Sequence, residues 1–277
     1  MSLAVLFSLT VAARQGTQTT KGSLETRDMG SFKLHVYNNN DALGNASYII
    51  EGPNSVITME QPLFKDRAAE FDSIVNAIGK PVEKRISDYH LGGTGNNPIV
   101  MAAGMAGFVK EGVYAAMMQN FAKGFGDAIV ALPTGHADEV AFGSSHTWGG
   151  VKFTFTHGAK TDFPAASINI GGKVYFTHWA PAKAHMNALQ ISSPAVIDAE
   201  LVETDNALKS GCTTFIGGHG GVADKSAAQF KADYLKTMKA AYADNKTAEA
   251  FVAAMKKAYP SLSGESALAD VAKVLYK

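Results

Sequence analysis

Ile86-Ser87-Asp88-Tyr89-His90-Leu91-Gly92-Gly93-Thr94-Gly95-Asn96-Asn97 sets an aspartate and a histidine two residues apart at the end of an apolar run, followed by a glycine-rich turn. Asp88 and His90 can each offer an atom to a divalent ion, whereas glycine at 92 and 93 offers none. The stretch therefore says more about fold than about activity.

Around this loop, apolar strands alternate with helical runs, the pattern of an α/β fold. Phe71, Ile74, Val75 and Ile78 share one apolar face and predict a helix over 71–80, closed at Gly79. Tyr114 to Phe125 carries Met117, Met118 and Phe121 at near-helical spacing, which fits a core-facing or lid helix. A methionine stripe is ordinarily packing, although flexible Met side chains also suit an apolar substrate wall. From about residue 224 the composition shifts to Ala, Lys and Leu. Phe230, Tyr234, Leu235 and Met238 predict one helix, and Ala248, Phe251, Val252 and Met255 predict a second, stopped at Tyr259-Pro260 before a short last helix. Asn38-Asn39-Asn40-Asp41 reads as a turn.

A chain of 277 residues can bury one substantial core. Lys plus Arg equals Asp plus Glu at 25 each, which disfavours nucleic acid and anionic membranes as partners and leaves a small-molecule substrate or ligand. The single cysteine, Cys212, rules out an intrachain disulfide and reads as a buried, inert thiol. Leu3 to Ala13 is apolar and ends in small residues, like the latter part of a secretory leader. It is too short for a membrane span, and it favours a periplasmic or secreted protein over a cytoplasmic one.

Several stretches together resemble the metallo-β-lactamase superfamily. The 86–97 loop resembles its H-x-H-x-D-H motif, with Asp88 at the first histidine position, His90 at the second, and Gly92 and Gly93 at the Asp and the last His. In a second register His90-Leu91-Gly92-Gly93 matches the final His-x-Gly-Gly, and Arg85, Ser87 and Tyr89 take the other ligand positions. The first is preferred, because the second needs a deletion between Lys80-Pro81 and the loop. Asn45 to Gly52 resembles the N-x-Y-L-I-E-G strand, and Val56 to Phe64 the strand ending I-D-T-P-L, with Glu60 at the Asp. Phe153 to Gly158 resembles the strand whose end bears a lone metal histidine, here His157. Val174 to Trp179 resembles V-L-F-T-G-D, with Trp179 in place of the bridging Asp. Thr213 to Gly220 resembles the strand carrying the last histidine, His219.

The resemblance covers residue 30 to the C-terminus. It implies a four-layer αββα sandwich of two mixed β-sheets with flanking helices, preceded by an N-terminal segment over 1–29. The helical tail, about 224–277, belongs to this domain, with oligomer contact as its alternative role. For the site it implies at most one Zn or Fe ion held by Asp88, His90 and His157, and no dinuclear centre, since Gly92, Gly93 and Trp179 replace most second-site ligands. Asp88 and His219 are the catalytic candidates, with Glu60, His178 and Trp179 as further pocket residues. His185 is a weaker candidate, His136 and His146 read as surface or lid residues, and His35 as a strand residue.

Two functions follow from the resemblance. One is a metal-dependent hydrolase working on an ester, lactone, amide or phosphoester; the other is a non-catalytic small-molecule binder or structural protein on the same fold. Ser87 and Ser144-Ser145-His146 offer hydroxyl nucleophiles, but no G-x-S-x-G elbow accompanies them.

Overall fold

A computed structural model of the chain describes residues 21–93, 99–131, 137–159 and 164–277. The leader-like segment Leu3 to Ala13, Thr94 to Asn97 of the loop, and His136 lie outside these residues. The first sheet runs β1 (Ser23–Asp28), β2 (Lys33–Asn38), β3 (Ala46–Glu51), β4 (Val56–Gln61), β5 (Val82–Leu91), β6 (Ile99–Ala102) and β7 (Ala137–Val140), in that spatial order. β1 falls within the segment set apart as 1–29, yet it pairs with β2 along its length. The second sheet has the order β13-β12-β11-β10-β9-β8. Its strands are β8 (Ser145–Trp148), β9 (Val151–His157), β10 (Ala166–Ile170), β11 (Val174–Trp179), β12 (Thr214–His219) and β13 (Gly221–Asp224). Both sheets mix parallel and antiparallel pairs.

Side-chain alternation with period two sorts the layers. On β3, Tyr48 and Ile50 enter the core between the sheets, while Ile49 packs outward with Phe71, Ile74 and Val75 of α1 (Lys65–Ile78). On β11 and β12, Phe176 and Ile216 point inward, whereas Tyr175 and Phe215 pack outward against Ala207 of α4 (Pro194–Lys209) and Ala228 of α5 (Lys225–Asp244). The result is helix, sheet, sheet, helix, as the resemblance implies. α1 ends where the periodicity ends, at Gly79 with φ 73°, but begins earlier than Phe71. Cys212 is buried in the outer cluster, and burial pushes its thiol up.

The C-terminal helices α5, α6 (Ala248–Ala258) and α7 (Glu265–Leu275) bury their apolar faces in a separate cluster with Ile191, Val196 and Ile197. Asp224 and Thr247 cap α5 and α6 by accepting from the backbone N–H of Ala227 and Ala250. Among the described residues, no helix is long and apolar enough to cross a membrane.

Behind the second sheet, α4 and α5 enclose charge. Lys231 pairs with Glu200 at 2.7 Å, and the Ser167 hydroxyl on β10 donates to Glu203. Burial, and then the neighbouring Glu200, push Glu203 from its ordinary 4.5 up to about 7. Between those values the folded chain holds a proton that the unfolded chain has released, so this group's contribution to stability falls as pH rises. Buried His35 and His185 and half-buried His90, His178 and His219, all lowered, act in the opposite sense below 6.5. The clean readout is therefore the difference between Glu203→Gln and wild type. The melting temperature of the variant relative to wild type is expected to rise across pH 4.5 to 7 and then level off. A difference that does not change with pH would contradict this assignment.

Candidate metal centre

The site lies where β4, β5, β11 and β12 end. On β4, Glu60 adopts φ 54°, a left-handed conformation that is unusual outside glycine. There the pairing with β5 jumps from Met59 opposite Ile86 to Gln61 opposite Leu91. The extra β5 residues wrap around the Glu60 carboxylate: its Oε1 accepts from the backbone N–H of Asp88 at 3.1 Å and of Tyr89 at 3.4 Å. Strain at one residue thus aims a buried carboxylate at the loop that bears His90.

Asp88 is fully buried, and both its oxygens are engaged. Oδ1 accepts from Ala102 N at 2.7 Å and Oδ2 from Ala166 N at 2.8 Å, so the side chain ties β5 to a strand of each sheet. Burial still pushes its carboxyl up to about 6, against those two hydrogen bonds. His157, at the end of β9, is exposed and stacks on Phe142 with ring centres 3.7 Å apart. The expected set of Asp88, His90 and His157 is therefore not the group that the fold brings together.

Among the described residues, the three side chains that do converge are His90, His178 and His219, whose donor atoms all lie within 4.8 Å of one another. His90 Nε2 is 3.3 Å from His219 Nε2. Two nitrogens each 2.0–2.1 Å from a tetrahedral zinc are about 3.3 Å apart, so this spacing already suits a shared ion. Behind His90, Nδ1 is 3.1 Å from Glu60 Oε2, a close but poorly aligned approach that leaves both buried atoms without a good hydrogen bond. His219 hydrogen-bonds the backbone at Gly44 and Leu43. His219 is thus held by the backbone, and its Nε2 faces that of His90 at a spacing that a cation between them would also satisfy. Burial lowers all three imidazoles and so keeps them in the uncharged, metal-binding form.

Neighbouring rings fix the orientations. Tyr89 stacks on His178 at 4.0 Å with planes 3° apart, and Trp179 stacks on His219 at 4.1 Å. Tyr48 on β3 donates to the Gly217 carbonyl at 2.6 Å, holding the end of β12 against the first sheet. Gly218 has no room for a side chain, because a Cβ there would lie 2.8 Å from His90 Cε1.

In front of the histidines is a cavity of about 270 Å³. It is walled by Leu63, Tyr114, Met117, Met118 and Phe121, the last four from α3 (Gly112–Phe125), which follows the single turn α2 (Met105–Phe108) and is tied to β5 by Tyr114 Oη donating to the Tyr89 carbonyl at 3.2 Å. A larger cleft of about 1490 Å³ lies between Lys65, Lys110, Asp127 and Glu139, with no histidine among its described lining residues. The chemistry points to the smaller cavity. His35, His146 and His185 sit elsewhere, bonded to Glu51, Ser144 and Tyr234.

His178, marked from the sequence as a further pocket residue, is the third member of the cluster. Alternation along β11 was the available signal: Phe176 faces the core, so His178 shares its inner face.

No protein-family model matches the chain, and no curated protein matches it. Solved structures do. The chain is similar to the stereoselective inverting sec-alkylsulfatase Pisa1 from Pseudomonas sp., with TM-score 0.65 and 16% identity over 92% of this chain and 50% of that one. It thus spans about half the length of that protein. It is also similar to a metallo-beta-lactamase family protein from Thermus thermophilus (TM-score 0.55, 15% identity, 87% of each chain). A beta-lactamase domain protein from Burkholderia ambifaria gives TM-score 0.57 and 12% identity over 91% of this chain and 86% of that one. At such identities the fold is what is shared.

Proposed function

We propose that this chain, which has the metallo-β-lactamase fold, holds one transition-metal ion, zinc or iron, through His90, His178 and His219 and hydrolyses a small-molecule substrate in the adjoining cavity. The observation that carries the reading is the convergence of three imidazoles, with donor atoms within 4.8 Å of one another, beside an apolar cavity. Three protein ligands with one open position are the ligand count of a catalytic rather than a structural zinc site. When bound, such an ion lowers the pKa of its water to about 7 and polarises a carbonyl. We place no second ion there: among the described residues, Gly92 and Gly93 have no side chain, and Trp179 stacks on His219 instead of offering a carboxylate.

The chain's own groups have distinct duties in this scheme. Glu60, whose Oε2 lies 3.1 Å behind His90 Nδ1, would take that ring's proton when an ion is held at Nε2; Tyr89 fixes the His178 ring plane; the backbone at Leu43 and Gly44 orients His219. Carboxylates behind metal-bound histidines commonly act this way. Glu60→Gln is accordingly expected to weaken metal affinity about 10–100-fold while the protein stays folded. Competition with a chromophoric chelator measures it, and unchanged affinity would remove Glu60 from the scheme.

One observation favours a second reading, ligand binding without turnover. Both Asp88 oxygens are engaged by backbone, and Glu60 lies behind His90, so neither carboxylate is placed to take a proton from water on the cavity side. Metal-loaded protein assayed against uncharged esters and lactones separates the two. Turnover that a chelator abolishes supports the hydrolase; stoichiometric metal with no turnover supports the binder.

A further inference from the structure

The cavity facing the histidine cluster has a composition that restricts what can enter. None of its described lining residues is Lys, Arg, Asp or Glu, and its apolar lining includes Leu63, Met117, Met118, Phe121 and the exposed Leu189. Its volume of about 270 Å³ lies just under the roughly 300 Å³ at which drug-sized pockets begin. Counting about 30 Å³ per water-sized unit, it has room for about nine of them. Methionine side chains adapt to slim apolar shapes better than to one rigid outline.

We propose that the cavity takes a slim, monofunctional apolar compound of about nine non-hydrogen atoms, with one uncharged polar group at the histidine end and no charged group along its body. This deepens the site reading above and rests on it for the orientation of the polar end. A charge carried deep into the cavity would lose its water and meet no cation among the described residues, which is costly. Aliphatic carbon, by contrast, gains with every methylene removed from water. Compounds with a remote carboxylate are therefore excluded, and simple alkyl or aryl esters, lactones and their alcohols fit.

The test uses the full chain, treated with a chelator so that no ion can answer a charge. Of its two tryptophans, Trp179 lines the cavity and Trp148 stacks on His146 in β8. In a Trp148→Phe background, emission reports the cavity. Titration with straight-chain 1-alkanols from butanol upward is expected to tighten about fourfold per methylene as far as octanol and then stop tightening. The compound 8-hydroxyoctanoate, an octanol-length chain with a far-end carboxylate, is expected to bind at least about tenfold more weakly than octanol. Met117→Gln, on the half-buried wall, is expected to weaken octanol about tenfold with an unchanged circular dichroism spectrum. A flat chain-length series, the absence of saturable binding, or carboxylate binding as tight as octanol would overturn the assignment. Failure to bind metal would sink the hydrolytic reading and leave this series untouched; a flat series would do the reverse.

Discussion

His219→Ala and His90→Ala are each expected to take bound metal from about one equivalent to none, with any hydrolysis lost in step. Both rings lie in the 4.8 Å cluster, and their Nε2 atoms face each other at 3.3 Å, so either truncation leaves two imidazoles where three are needed. The loss should exceed the about 10–100-fold that follows from removing a group behind a ligand. His178→Ala belongs with them, because it supplies the third nitrogen. His157→Ala is the internal control: its ring is exposed on Phe142, so metal content should not change. Elemental analysis of protein prepared without a histidine tag reads all four. Metal retained by His219→Ala, or lost from His157→Ala, would favour the ligand set expected from sequence over the one in the fold.

Gly92→Asp is expected to destabilise the protein by more than about 3 kcal/mol, lowering the melting temperature by roughly 6–12 °C or preventing soluble expression. On the motif alone, the same change would restore a missing carboxylate and a second ion. The backbone forbids it. A Cβ at 92 would overlap the Pro62 carbonyl and crowd that of Gln61, and the neighbouring Gly93 N–H donates to Pro62 O at 2.8 Å, pinning the two segments together. The absence of a donor at 92 is thus built into the packing of β4 against β5, not confined to one side chain. A Gly92→Asp protein that melts normally and binds two ions would show that this close approach is not a constraint.

The fold was legible because its strands carry their own signals. Asn45 to Gly52, Val56 to Phe64, Val174 to Trp179 and Thr213 to Gly220 became β3, β4, β11 and β12, and the face of Phe71, Ile74 and Val75 became the buried side of α1. The site was only half legible. His90 and His219 were placed by their strands, and Glu60 was marked as a pocket residue, but its role depends on a left-handed backbone and a shift in pairing that no residue pattern announces. Asp88 occupies a ligand position in the motif, yet two backbone N–H groups from different sheets take its oxygens, and only tertiary structure brings them there. His157 ends a strand beside Phe142, and the aromatic contact carries it away from the cluster. The place of His178 in the cluster could have been found by counting inward positions from Phe176; motif matching hid it, because the aligned family residue is a glycine.

The most direct test of the shared ion is X-ray absorption spectroscopy on the full chain loaded with one equivalent of zinc. Three imidazole nitrogens at about 2.0–2.1 Å, with one oxygen scatterer completing the shell, is the predicted result, and no zinc should remain bound in His178→Ala. Zinc that does not bind, or a shell with one or no imidazole that is insensitive to His178, would contradict the account.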